Sequence, residues 1–228
     1  QTCSYNVVNM KVALIQLSDI HFSSNRDLIC SRQEAFCRSC KYLINECSKV
    51  IFVISGDIAN YGTEEQYNIA YQWLKECENF WKKESRILQS FDYVIVPGNH
   101  DCMLSDSNPI RDLVIKEILK KDITSEDKYV DQSLDVQRPL WDFYKRLTGS
   151  EISPAVSWQV NIRIKLDLNL CFHCYNTALL SQLHEEPGKL MIPENYFLDT
   201  KDTENQVIVS VFHHNTGWLT AATNNNNK

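Results

Sequence analysis

Four short apolar runs, each ending in ionisable or amide side chains, constrain this chain more than any other feature. KVALIQLS (11–18) runs into Asp19-Ile20-His21, and KVIFVIS (49–55) runs into Gly56-Asp57. FDYVIV (91–96) runs into Pro97-Gly98-Asn99-His100-Asp101, and QVIVSVF (206–212) runs into His213-His214. Runs this short and this rich in Val and Ile predict strands buried on both faces. Helix signals lie between the first three. Ser31 with Glu34 reads as a capping box, followed at helical spacing by Phe36, Cys40, Leu43 and Cys47. Thr63 with Gln66 repeats the signal ahead of Tyr67, Ala70, Leu74, Cys77 and Trp81, and Asn108-Pro109 opens a third helix with Ile110, Leu113, Val114 and Ile118 inward. This alternation predicts an α/β fold with right-handed crossovers and a mainly parallel sheet.

The rest of the chain carries weaker signals. Residues 123–150 read as short helices stopping at Gly149, residues 156–175 as two strands joined near Asp167, and residues 181–204 as a loop with one helical turn. Met10 begins MKVALIQLSDIH, so residues 10–228 are expected to form one domain and residues 1–9 an extension. The tail ends in TNNNNK, a polar, low-complexity stretch.

Composition removes several function classes. A net charge of −6 argues against sequence-independent nucleic-acid binding, which needs a basic face, and leaves nucleic acid open as a substrate. No apolar run approaches the roughly 20 residues of a membrane helix, so no membrane partner is expected. Nine cysteines without a secretory signal point to a reduced, cytoplasmic chain. Cys37-x-x-Cys40 and Cys171-x-x-Cys174 are read as packing residues rather than zinc ligands: the first pair falls on a helical face and the second on opposite faces of a strand.

In open α/β sheets, ligands bind beyond the carboxyl ends of the strands. If the four runs are neighbours, Asp19, His21, Asp57, Asn99, His100 and His213 converge on one rim. These are oxygen and nitrogen donors with no thiolate, a set suited to Mn, Fe or Zn, with Mn favoured. Two cations fit better than one, because a single carboxylate such as Asp57 has two oxygens and can bridge them. A pair of cations about 3.5–4 Å apart clamps a phosphoryl group for in-line attack and acidifies a bridging water from a pKa of about 15.7 toward about 7. Gly98 is expected to let the chain turn so that Asn99, His100 and Asp101 point in different directions.

Asp19-x-His21, Gly56-Asp57, Gly98-Asn99-His100-Asp101 and His213-His214, in this order and at strand ends, resemble the motifs of the calcineurin-like metallophosphoesterases. The resemblance implies a β-sandwich flanked by helices, in four layers α/β/β/α, acting on a phosphate ester. It implies that Asp19 and His21 bind one metal, that Asp57 bridges, and that Asn99 and His213 bind the second. His100 would protonate the leaving oxygen, with Asp101 orienting its ring. GDIANYG (56–62) resembles the loop of bacterial phosphodiesterase-like members, and the chain lacks the Asp-Arg-Gly of serine/threonine protein phosphatases.

The chain departs from the family in one place. No Gly-His-x-His follows His213, and His173 and His184 precede it without that pattern. The expectation is a domain incomplete at its C-terminus. A hydrolase acting through a hydroxide shared by two metals is the reading that follows. A nuclease subunit of a larger assembly and an inactive scaffold of the same fold are the alternatives.

Overall fold

The computed structural model describes residues 11–105, 108–120, 128–150, 152–165, 168–200 and 205–220. The expected extension at 1–9, the turn at Asp167, the TNNNNK tail and the start of the 123–150 helical region lie outside the described residues.

The first three apolar runs are β1 (Val12–Leu17), β2 (Lys49–Ser55) and β3 (Ser90–Val96), paired in parallel in the order β1-β2-β3. Leu17 lies beside Ile54, and Ile54 beside Ile95. The three strands therefore finish level, and everything that follows them starts from one rim. Between them come α1 (Leu28–Ser31) with α2 (Gln33–Ile44), and then α3 (Glu64–Glu84). The Thr63 hydroxyl caps α3 by accepting the Gln66 amide at 3.4 Å, and Tyr67, Ala70, Leu74, Cys77 and Trp81 are all buried. α6 (Arg138–Thr148) joins the same layer through Leu140, Phe143, Tyr144 and Leu147, and ends at Gly149 in the left-handed conformation.

The remaining strands make a second sheet. β4 (Ser157–Lys165) pairs antiparallel with β5 (Leu168–Tyr175), and β5 pairs parallel with β6 (Gln206–Val211). The two sheets face each other, packing Ile51, Val53, Val94 and Val96 against Ile162, Phe172 and Val211. One mainly parallel sheet, expected from the strand and helix alternation, is thus replaced by an α/β sandwich. Side-chain period explains this: Val50, Phe52 and Ile54 face the helices, whereas Ile51 and Val53 face away and need a second sheet to cover them. On the far side, α4 (Pro109–Lys120) and α5 (Lys128–Leu134) pack with Tyr175, Leu179, Leu190 and Leu219, supplying the helical layer beside the second sheet.

Two helical faces differ from the pattern reading. Ser31 closes α1 instead of capping α2, and Leu43 is 65% exposed. On α4, Ile110 is 71% and Leu113 60% exposed, while Arg111 is buried with Val114, Ile115 and Ile118. Arg111 turns the helix because its guanidinium finds carbonyl partners inside, a preference that apolar spacing does not contain. Among the described residues, no helix is long and apolar enough to cross a membrane.

Candidate metal centre

The turns leaving β1 and β2 are stitched together by backbone bonds. The amides of Asp19, His21 and Phe22 donate to the carbonyls of Gly56, Asp57 and Ile58 at 3.2, 3.0 and 2.9 Å. This forces unusual backbone at the residues that carry chemistry. Asp19, His21 and Asp57 have φ of 54°, 54° and 56°, and only Asn205 among the other described non-glycine residues is positive. Each such residue costs on the order of 1 kcal/mol, a cost that clusters where function demands the geometry.

Two glycines admit close approach. A Cβ on Gly56, whose φ is 92°, would lie 2.5 Å from His213 Cγ. A Cβ on Gly98 would lie 2.1 Å from Asp57 Oδ1. Gly98 itself has φ of −106°, which any residue adopts. The expected need for turning freedom at Gly98 is therefore replaced by a need for space beside the Asp57 carboxylate.

Asp57 is buried at the centre. Its Oδ1 accepts the His100 amide at 2.9 Å. Its Oδ2 lies 3.3 Å from His213 Nε2 and 3.7 Å from His21 Nε2. Burial alone would raise the Asp57 carboxyl, but His213 beside it and the His100 amide outweigh burial and hold it below the usual range. Burial would lower the His213 imidazole, yet Asp57 beside it raises it to about 9. Asp19 is exposed and takes a hydrogen bond from the Ser18 hydroxyl. Among the described residues, two groups of close donors emerge, Asp19 with Asp57 and His213, and His21 with Asp57 and His100, their ligand atoms within 4.8 Å of one another. Asp57 belongs to both.

Backbone carbonyls set the histidine tautomers. His213 Nδ1 donates to the Ser55 carbonyl at 2.9 Å, and His100 Nδ1 donates to the Asn60 carbonyl at 2.9 Å. Each ring therefore presents Nε2 to the site. The His21 and His100 rings meet edge to face with centroids 4.5 Å apart, and His21 Nδ1 is buried without a partner. Oxygen and nitrogen donors around a buried carboxylate fit a divalent cation.

One expectation needs correction. Asp101 does not orient the His100 ring; the Asn60 carbonyl does. The Asp101 carboxylate is fully buried and accepts the amides of Asp57, Ala59 and Gly98 at 2.7, 3.0 and 3.0 Å and the Tyr67 hydroxyl at 3.0 Å. It fastens the β2 turn to the β3 turn, because the tight helical turn Asn99–Asp101 sends consecutive side chains in different directions. Burial pushes its carboxyl up to about 6, against the pull of those amides. Asn99 Oδ1 meets His214 Nε2 at 3.2 Å, and His213 groups with Asp19 and Asp57.

Sequence reading missed three contributors. Ser55 and Asn60 act through main-chain carbonyls, which no residue pattern reports. Glu185 comes from the 181–204 loop, and its Oε2 lies 3.3 Å from His214 Nε2.

The comparisons with known proteins bear on the same residues. The family model described as calcineurin-like phosphoesterase matches residues 12–217. The uncharacterized metallophosphoesterase-like protein YydB of Bacillus subtilis (strain 168) is 27% identical over 231 aligned residues, covering 92% of this chain and 44% of that protein. The chain thus spans less than half the length of the curated relative it matches.

Proposed function

This chain belongs to the calcineurin-like phosphoesterase family, and from that premise we propose that it hydrolyses a phosphomonoester or phosphodiester with the help of two divalent cations, Mn favoured. The observation that carries this reading is one buried carboxylate, Asp57, whose two oxygens face different partners: Oδ2 lies near His21 and His213, and Oδ1 receives the amide of His100, next to Asn99. Asp19, His21 and His213 gather around that carboxylate and would hold one cation against Asp57. Asn99, beside the His100 amide that Asp57 Oδ1 receives, would anchor the second. When bound, the cations supply Lewis-acid charge to the phosphoryl oxygens and lower the pKa of the attacking water.

The chain's own groups then do the rest. The phosphorus–oxygen bond to water forms as the bond to the ester oxygen breaks. His100, its Nδ1 held by the Asn60 carbonyl, offers Nε2 to carry the proton that the leaving oxygen takes. Asp101 acts at one remove, keeping the Asp57 and His100 turns in register. The GDIANYG loop supports the phosphodiesterase-like side of the family over the protein phosphatases.

The test is hydrolysis of bis(p-nitrophenyl) phosphate and p-nitrophenyl phosphate with Mn²⁺ by wild type, Asp57→Asn and His100→Ala. Asp57→Asn is expected to lose nearly all turnover; equal turnover by Asp57→Asn and wild type would sink the reading. His100→Ala is expected to lose about 10²–10⁴-fold on alkyl esters and much less on p-nitrophenyl esters, whose leaving group needs no proton. Full activity of His100→Ala on an alkyl ester would remove the proton-donor role.

A further inference from the structure

We propose that Glu185 is a metal ligand, completing with Asn99 and His214 the site of the second cation; this rests on the two-cation reading above. Three donor atoms meet here. His214 Nε2 is 3.2 Å from Asn99 Oδ1 and 3.3 Å from Glu185 Oε2. The Glu185 side chain is only 9% exposed, and its other oxygen, Oε1, is buried with no hydrogen-bond partner. A carboxylate kept only to pair with His214 would leave its free oxygen in water. Instead that oxygen is withheld from water on a carboxylate whose other oxygen meets an imidazole, and a buried unsatisfied polar atom of this kind marks a missing water or ion.

The nearest buried cationic side chain does not answer it. Arg111 spends its guanidinium on carbonyls, donating to Ser133 at 2.9 Å, to Leu179 at 3.2 Å, and to Ser181 at 2.7 and 3.0 Å. Those bonds rigidify the segment that leads from β5 to Glu185. Its far end is clipped to the chain beyond His214, where the amides of Gly188 and Leu190 donate to the Trp218 carbonyl at 3.1 and 3.0 Å. Glu185 is thus held between two anchored points on the rim, a placement that a solvated loop acid would not need.

His214 is supported in a way that allows it to give up Nε2. Its amide donates to Thr177 Oγ1 at 3.0 Å, and its Nδ1 lies 2.9 Å from the same oxygen. A hydroxyl serves either tautomer: it donates when Nδ1 is bare and accepts when Nδ1 carries the proton. With the proton on Nδ1, the Nε2 lone pair is free to join the two oxygens around a cation. Carboxylate, amide oxygen and imidazole together suit Mn²⁺ or a similar first-row ion.

Titration of the full chain with Mn²⁺, followed by equilibrium dialysis and electron paramagnetic resonance, tests this. Wild type is expected to bind two ions and to show a spin-coupled pair. Glu185→Gln is expected to bind the first ion as wild type does, to bind the second at least about tenfold more weakly, and to lose the coupled signal. In EDTA its melting temperature should equal or exceed that of wild type, because a buried carboxylate oxygen without a hydrogen-bond partner is gone. Thr177→Val should weaken the same ion and leave the first alone. Two ions bound by Glu185→Gln at wild-type affinity would overturn the assignment. So would a lowered melting temperature in EDTA, since Glu185 would then hold the fold and not an ion. A single ion in wild type would also overturn it. Full binding of two ions by Asp57→Asn would instead remove the shared-carboxylate reading underneath.

Discussion

The two sheets deliver their donors to the rim by different means. The first sheet does it locally: Asp19, His21, Asp57, Asn99 and His100 sit within five residues of strand ends, and adjacent turns are tied by short backbone bonds. The second sheet does it both ways: His213 and His214 directly follow β6, whereas Glu185 arrives at long range from the loop after β5. Thr177 and Glu185 lie on a segment staked by buried polar groups of α4, of α5 and of the turn after it. The Ser133 hydroxyl donates to the Leu179 carbonyl at 2.6 Å, and the Asn176 amide donates to Gln137 Oε1 at 2.7 Å. Strand pairing in one register brings these ends level, and short backbone bonds between the turns then fix them. A loop on the outside of a sheet has no such constraint, and specific hydrogen bonds must supply it.

The comparison breaks hardest at Gly98. A Cβ there would stand 2.1 Å from Asp57 Oδ1, so Gly98→Ala must displace the carboxylate that both donor groups share. Turnover is expected to fall by at least about 10³-fold in steady-state assays with Mn²⁺, in line with loss of a principal charge-stabilising group. Turnover within tenfold of wild type would mean that the close approach is not required.

A smaller effect sharpens the other side. Arg111→Met keeps the bulk of the side chain but removes the guanidinium that bridges the carbonyls of Ser133, Leu179 and Ser181, leaving Leu179 with the Ser133 hydroxyl. Stability should drop by about 3 kcal/mol, read from urea midpoints. The affinity of the folded protein for its first Mn²⁺ should change less than about threefold, since Asp19, His21, Asp57 and His213 do not touch Arg111. Equal loss of stability and of first-ion affinity would show that the two halves cannot be separated.

The smallest effect is a pH slope. Against burial, Asp57 raises the His213 imidazole to about 9, so His213 binds a proton throughout the neutral range in the metal-free protein. A cation must displace that proton. Affinity at this group is therefore expected to rise by up to about tenfold per pH unit below about pH 9 and to level off above it, as isothermal titration calorimetry in several buffers would show. A flat profile from pH 6 to 9 would mean that His213 is not a ligand.

The first half was legible in the sequence nearly to the residue. Short, β-branched apolar runs marked β1, β2 and β3, and the donors stood next to them in the chain. The helix read from Thr63 buried the face expected of it. Reading weakened where polar groups decided. α4 turned to bury Arg111 and exposed Ile110 and Leu113, because three carbonyls inside the fold outweighed two apolar side chains. Asp101 looked like a partner of the adjacent histidine and proved to be a tie between two turns, because the amides of Asp57 and Ala59 lie over forty residues away.

By itself the sequence determined which strand ends carry ionisable groups, because buried strands and their flanking turns are local events governed by side-chain period. The tertiary structure alone decided which of those groups meet. His213 lies with Asp19, Asn99 lies with His214, and Glu185 arrives from a loop that no pattern distinguished. Those pairings depend on how the second sheet sits on the first and on main-chain carbonyls at Ser55 and Asn60, which are common to every residue type and so leave no trace in a list of side chains.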